Sequence, residues 1–345
     1  MNLATVSRAA AHATMEDVAK LAGVSLKSVS RVINAEPHVS AKLRAKVDAA
    51  IAELNYVPDM AARSLAGSRT FIIGLMFDNP SPNYTMKIQM GAYEACRDSQ
   101  YHLRIDNIDS TAPRAEFEAQ LSAILRNSRC DGFVLTPPLT DNLILLDFLD
   151  HAGLRYVRIA PDVDLGRSPG VCIDDAAGAA TVARHLWELG HRRFAIVRGP
   201  QSHGAAVRRR QGFIDELERL GLKEPIVEAD GRFGFEQGIT AGHEVLTANP
   251  RPTAIFATND DSAAGVLVAC SQHGLKTPHD ISVCGFDDSW VAKSVWPYLT
   301  TVYQPMEELG RAAAMLLLRR DEPENILHKL DFHLVVRDST APPPL

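Results

Sequence analysis

Apolar positions along this chain change their spacing near residue 70. Before that point they recur every three or four residues, the spacing of amphipathic helices. In Thr14–Asn34, TMEDVAKLAGVSLKSVSRVIN, two short helical patterns meet at one glycine. Thr14 and Asp17 have the spacing of a capping box, and Val18, Ala19, Leu21 and Ala22 follow at helical spacing. Gly23 supplies backbone freedom for a tight turn. Ser25 is placed to cap a second helix, Leu26–Asn34, with Val29, Val32 and Ile33 on its inner face. Leu26, Lys27, Ser28 and Arg31 are left facing outward. A third helix is predicted from about Ser40 to Leu54, with Leu43, Val47, Ala50, Ile51 and Leu54 on one face.

Beyond residue 70 apolar runs of four to eight residues alternate with amphipathic stretches. The strands predicted are Phe71–Phe77, His102–Ile108, Gly132–Thr136, Tyr156–Ile159, Phe194–Arg198, Pro225–Ala229, Ala254–Thr258 and Ile281–Phe286. The helices between them are Tyr84–Asp98, Arg114–Asn127, Asp141–His151, Ala176–Leu189, Val207–Arg219, Phe235–Leu246 and Asp261–His273. Such alternation predicts a doubly wound α/β core with parallel sheets. The strands are too many for one small sheet. Two similar subdomains around a cleft fit better, with connecting strands crossing near Val171–Asp174, Thr300–Gln304 and Phe332–Val336.

Two helices joined at a glycine make a helix–turn–helix, whose second helix enters a DNA major groove N-terminus first. The spacing alone also suits a plain helical hairpin with a solvated basic face. Longer stretches of the chain decide between the two. The pieces MEDVAKLAGVSLKSVSRVIN, HVSAKLRAKVDAAIAELNYVPD and MAARSLAG, in that order and spacing, closely resemble the lactose-repressor (LacI) family, and the resemblance runs through the whole chain. It implies a tail over 1–13, a DNA-binding headpiece over 14–58, a hinge helix or linker over 59–69, and an effector-binding and dimerisation domain over 70–345. The core would have a periplasmic-binding-protein-like architecture, with one subdomain at about 70–172 and 304–330 and the other at about 173–303 and 331–345.

The resemblance also implies roles. Leu26, Lys27, Ser28 and Arg31 would read bases. Thr14, Ser25, Asn34, His38, Ser40, Lys42 and Tyr56 would touch the DNA backbone. Eight residues make a marginal helix alone. On DNA, Asp59–Ala66 of two subunits would pair in the minor groove, with Leu65 as an apolar wedge and Ala62 at the helix–helix contact. The family's effector site falls on Arg209, through the RxxGF pattern at Arg209–Phe213, and on Asn259 and Asp287 at strand ends. Asp78, Tyr84 and Phe233 also come just after strands, where open α/β folds bind ligands. Arg158 stands where some relatives carry a carboxylate that contacts sugar. A fork-like guanidinium and carboxylates hold adjacent hydroxyls, while an aromatic ring covers a sugar's apolar face.

Charge sharpens this picture. The net charge is −6, yet residues 1–69 hold nine Lys/Arg against six Asp/Glu, and the remainder 27 against 36. The basic excess of +3 sits on the small N-terminal module and the core carries −9, a sign that suits phosphate contact by the headpiece. No apolar run approaches the ~20 residues that span a bilayer, and MNLATVSRAAAHA lacks an apolar signal core. The five cysteines are dispersed, which favours buried thiols over disulfides or zinc. No metal and no cofactor are expected. None of HExxH, GxSxG and GxxxxGK[ST] occurs, so an enzyme is not expected.

The expectation is therefore a cytoplasmic, nucleoid-associated homodimer that binds pseudo-palindromic double-stranded operator DNA. It would repress carbohydrate-utilisation genes under a small sugar-like effector. Three prolines near the end, Pro342–Pro344, cannot continue a helix, so tetramerising leucine heptads are not expected. A periplasmic-type solute receptor, or a regulator answering to a phosphoprotein or a nucleobase, remains an alternative at this point.

Overall fold

The computed structural model describes residues 13–33, 39–56, 69–127, 129–319 and 326–344. The chain divides into two compact units, Met1–Phe71 and Ile72–Leu345. Asn34, His38, Ala62, Leu65 and nearly all of the expected hinge at 59–69 lie outside the described residues.

In the first unit, α1 (Met15–Ala22), α2 (Leu26–Ile33) and α3 (Ala41–Glu53) enclose a small core. The capping box forms as its spacing predicts. Asp17 N donates to Thr14 Oγ1 at 3.3 Å, and Thr14 N donates to Asp17 Oδ2 at 2.9 Å. Gly23 ends α1 at φ 63°, in the left-handed region, and Val24 N reaches back to Ala19 O at 3.1 Å. Ser25 Oγ then accepts from Ser28 N at 3.2 Å and opens α2. Val18, Val29, Val32, Val47 and Ala50 are buried together, whereas Leu21, one of the positions at helical spacing, is 44% exposed.

The second unit holds two α/β lobes. In lobe 1, β1 (Ile72–Phe77), β2 (His102–Asn107), β3 (Phe133–Leu135), β4 (Tyr156–Ile159), β5 (Gly170–Cys172) and β11 (Leu327–Lys329) form a parallel sheet ordered β11-β5-β4-β3-β1-β2. In lobe 2, β6 (Phe194–Arg198), β7 (Val227–Asp230), β8 (Ala254–Ala257) and β9 (Ser282–Cys284) are parallel in the order β7-β6-β8-β9. The pleat alternates side chains between faces. Ile73, Leu75 and Val134 pack toward α4 (Pro82–Asp98) and α11 (Met306–Leu318), while Met76, Phe133 and Leu135 pack toward α5 (Arg114–Asn127) and α6 (Leu143–His151). Lobe 2 repeats the scheme. Val197 and Ile255 face α9 (Phe235–Leu246) and α10 (Asp260–Gln272), and Ile196 and Phe256 face α7 (Asp175–Glu188) and α8 (Gly204–Arg219).

Helix α11 was not expected from the pattern. It packs on α4, more than two hundred residues earlier, at a close approach that needs glycine on both sides. A Cβ on Gly91 would collide with the Glu307 carbonyl, and one on Gly310 with that of Ile88. The connecting segments come where expected: β5 leads into α7, and β10 (Thr301–Tyr303) pairs antiparallel with β12 (His333–Val335). Leu330 N donates to Cys172 O at 2.8 Å, tying two crossings together. All five cysteines are free and buried.

Candidate functional site

Strands of both lobes end at one cleft. The turns after β1, β4, β6, β7, β8 and β9 bring Asn79, Ser81, Ala160, His203, Phe233, Asn259 and Asp287 around one cavity, which opens to solvent at its mouth. Tyr84, Asp175, Arg209 and Gln304 complete its polar wall. This is the carboxyl edge of the sheets, where unpaired backbone and helix N-termini leave room for a ligand.

Arg209 organises the cavity from α8. Its Nε donates to Asp175 Oδ1 at 2.8 Å, and its Nη1 to Thr258 O at 2.8 Å and Asp287 Oδ1 at 3.2 Å. The guanidinium lies 3.7 Å from the Phe286 ring centroid, a cation–π contact. Burial alone pushes the Arg209 pKa down, but the charges of Asp175 and Asp287 outweigh it and the net shift is upward. Asp287, with φ 119°, also accepts from Gln304 Nε2 at 2.5 Å. Burial raises its carboxyl pKa to about 7, against the opposing charge of Arg209. Phe233 is held at φ 63°, another position outside the usual basins, and meets the His203 ring edge-on at 5.5 Å. Burial drives the His203 pKa down to about 4, leaving the ring neutral at pH 7.

The residues named from sequence divide here. Tyr84, Arg209, Phe233, Asn259 and Asp287 line the cavity. Asn259 is already engaged at both ends: Oδ1 caps α10 through Ser262 N at 3.0 Å, and Nδ2 donates to Phe233 O at 3.0 Å. It shapes the wall more than it offers a free amide. Asp78 is not in the lining; it accepts from Ser110 N at 2.8 Å and Ser110 Oγ at 2.5 Å, and its neighbour Asn79 faces the cavity instead.

Arg158 is a correction. It is fully buried and absent from the lining. Its nitrogens donate to Ser168 Oγ, Val163 O and Asp164 O at 3.0, 2.8 and 2.6 Å. A sealed guanidinium must satisfy its donors internally, and the loop after β4 supplies the carbonyls. Asp175, His203 and Gln304 went unnamed. The signal available was their place beside strand ends, yet Asp175 lies 34 positions from Arg209, and no local pattern joins them.

On the first unit, Leu26 and Lys27 are exposed at the start of α2, and Ser28 and Arg31 are half-buried. Thr14, Ser25 and Ser40 cap the three helices, Ser40 through Leu43 N at 3.2 Å, and Lys42 is exposed. Tyr56, expected at the DNA backbone, is 8% exposed and packs in the headpiece core.

The sequence profile of bacterial regulatory proteins of the lacI family matches residues 14–59, and that of a periplasmic binding protein-like domain matches 183–340. The ribose operon repressor of Escherichia coli strain K12 is 34% identical over 314 residues, covering 89% of this chain and 93% of that protein. The chain belongs to the LacI family. The HTH-type transcriptional repressor PurR of Yersinia enterocolitica is 34% identical over 341 residues, 96% of this chain and 98% of its own. Among solved structures, the transcriptional regulator CelR–cellobiose complex aligns with TM-score 0.72 at 32% identity, over 95% of this chain and 100% of that one. The Lac repressor dimer bound to operator and the anti-inducer ONPF aligns with TM-score 0.76 at 28% identity, over 96% and 99%. As a LacI-family member the chain is a DNA-binding transcriptional regulator and not an enzyme. Among the described residues no helix is long and apolar enough to cross a membrane.

Proposed function

We propose that the chain is a repressor of carbohydrate-utilisation genes, controlled by a small sugar or sugar derivative held between the two lobes of its core. It acts in the cytoplasm, at the nucleoid, as a homodimer on a pseudo-palindromic operator. The observation that carries the effector reading is the cavity in which Arg209 stands between Asp175 and Asp287 with the Phe233 ring beside it. Carboxylates, a guanidinium and an aromatic face are the groups that recognise a polyhydroxylated ring. Asn79, Tyr84, Arg209, Phe233 and Asp287 form the effector site in this reading, and Asn259 supports its wall. The cellobiose in a related structure, and the ribose in another from Enterococcus faecium, agree with that class.

For DNA, the segments 14–58, 59–69 and 70–345 act as reader, hinge and sensor. Leu26, Lys27, Ser28 and Arg31 face base edges; Thr14, Ser25, Asn34, His38, Ser40 and Lys42 position the backbone; Ala62 and Leu65 serve the hinge. Tyr56 supports the headpiece from within. The outer face of α4 carries Met86, Met90 and Tyr93, each about half exposed, and is the dimer contact we favour. The deciding experiment is a thermal-shift screen of mono- and disaccharides and nucleobases, paired with gel shifts on palindromic DNA. A sugar should raise the melting temperature and alter operator affinity in the wild type, and lose both effects in Arg209→Ala and Asp287→Ala. A sugar that stabilises all three proteins equally does not use this cavity.

A further inference from the structure

Asp175 carries an anomaly that the fold does not resolve. It is 1% exposed, opens α7, and lines the cavity. Its Oδ1 accepts from Arg209 Nε at 2.8 Å, but its Oδ2, sealed from solvent, has no hydrogen-bond partner. Arg208 Nη2 stands 3.8 Å from it, beyond hydrogen-bonding range, and Arg208 is already paired with Asp162. A buried carboxylate oxygen left bare costs free energy until something donates to it.

The rest of the wall tells what that donor is attached to. Asp175 and Asp287 face one cation, Arg209, with Asp260 and Asp261 close behind. Asp260 is itself tied to Ser289 N at 2.7 Å and Thr301 Oγ1 at 2.6 Å, and Asp261 to Ser81 Oγ at 2.6 Å. Arg209 has spent Nε and Nη1 on the protein, and its flat face is stacked on Phe286. Only Nη2 has no such bond, so the two-pronged fork that grips a phosphate or carboxylate is gone. His203 is buried against Phe233 and adds no charge at neutral pH. An anion entering here meets carboxylates and no free positive fork, and burying an uncompensated charge is expensive.

Resting on the sugar reading of this cleft, we infer that Asp175 is a specificity residue: its free Oδ2 takes a hydrogen bond from a hydroxyl of an uncharged ligand, and the site rejects phosphorylated and carboxylated sugars. The effector is then an unmodified sugar or a neutral derivative. A sugar phosphate, which differs only by its dianionic group, is excluded.

The test uses the full chain and calorimetry with matched pairs: ribose and ribose 5-phosphate, glucose and glucose 6-phosphate, cellobiose and its 6-phosphate. A neutral sugar should bind at least about tenfold tighter than its own phosphate. Asp175→Asn keeps an oxygen for Arg209 but replaces the free acceptor with a donor. It should weaken the neutral sugar by about 10–100-fold, the usual worth of a hydrogen bond to a charged group. Operator binding without ligand checks that the variant is folded. A phosphate that binds as well as its parent overturns the inference in the wild type alone. Unchanged sugar affinity in a folded Asp175→Asn overturns it independently. If no compound in the panel, neutral or charged, binds or shifts operator affinity, the sugar reading of the cleft falls and the inference with it.

Discussion

Ser81 Oγ donates to Asp261 Oδ2 at 2.6 Å, although 180 positions separate the two residues. Ser81 caps α4 in lobe 1, and Asp261 is in the first turn of α10 in lobe 2. Asn83 Nδ2 reaches the other carboxylate oxygen at 2.9 Å. At another part of the rim, Arg208 of lobe 2 pairs with Asp162 of lobe 1. Side chains of the two lobes thus clasp the cleft at its rim.

Removing the clasp should open the core. Hydrogen bonds to a charged group are worth ~1.5–3 kcal/mol each, less the solvation regained on opening. Asp261→Ala is expected to enlarge the ligand-free core in small-angle scattering and to lower effector affinity by roughly tenfold, since closure must then be driven by ligand alone. An unchanged scattering profile with unchanged affinity would show that the clasp has no part in closure.

The raised carboxyl pKa of Asp287 gives a pH signature with a definite sign. Its ordinary value is 3.8, and burial lifts it to about 7 in the fold. Between roughly pH 4 and 7 the folded chain therefore holds a proton that the unfolded chain has released. The contribution of this group to stability is greatest below about pH 4, declines as pH rises to about 7, and is level above. Asp287→Asn should show a melting temperature that falls less across that window than the wild type's, as read by calorimetry. A ligand hydroxyl donating to Asp287 favours the charged form, so effector affinity should rise as pH is raised through 7. Parallel profiles for the two proteins would count against the assignment.

In the headpiece, Gly23 sits at φ 63°, and a Cβ there would meet nothing within 4 Å. The cost of replacing it is thus backbone strain without collision. Gly23→Ala should destabilise the helices of this unit by ~1 kcal/mol, with Gly23→Asn milder, because Asn tolerates the left-handed region. Urea denaturation followed by helix signal measures this. Equal stability for all three would mean the turn relaxes out of that conformation.

The proposed DNA contacts sort by what their loss does. Lys27→Ala should relax specificity at one base position by ~1–3 kcal/mol of discrimination. Lys42→Ala should weaken every sequence alike and reduce the salt slope by about one. Binding assays on an operator and single-base variants, each at several salt concentrations, separate the two. Identical behaviour of both variants would mean the contacts are wrongly divided.

Much of the fold was legible because local periodicity carries it. The predicted strands fell within a few residues of their expected ends, although β11 at Leu327–Lys329 was not predicted, and the caps at Thr14 and Ser25 announced their helices through side-chain chemistry alone. Helix α11 escaped because its reason for existing is remote: Gly310 and Leu309 answer to Ile88 and its neighbours on α4. The same limit governed the cavity. Arg209 was recognisable through the family's RxxGF pattern, but Asp175 acquires meaning only when folding sets it against a side chain on another helix. Arg158 misled for the opposite reason, since a charged residue near a strand end looks available until the loop closing over it is seen.

The lobes are joined by three strands of chain, at 172–174, 303–306 and 330–333, two of them stitched by the bond from Leu330 N to Cys172 O. Three tethers side by side constrain sliding and separation, and bending about their common line is the softer motion that remains. Whatever happens at the mouth of the cleft is therefore geared to one angle. A small change beside Arg209 is converted, at the far ends of the lobes, into a displacement enlarged by the length of the lever.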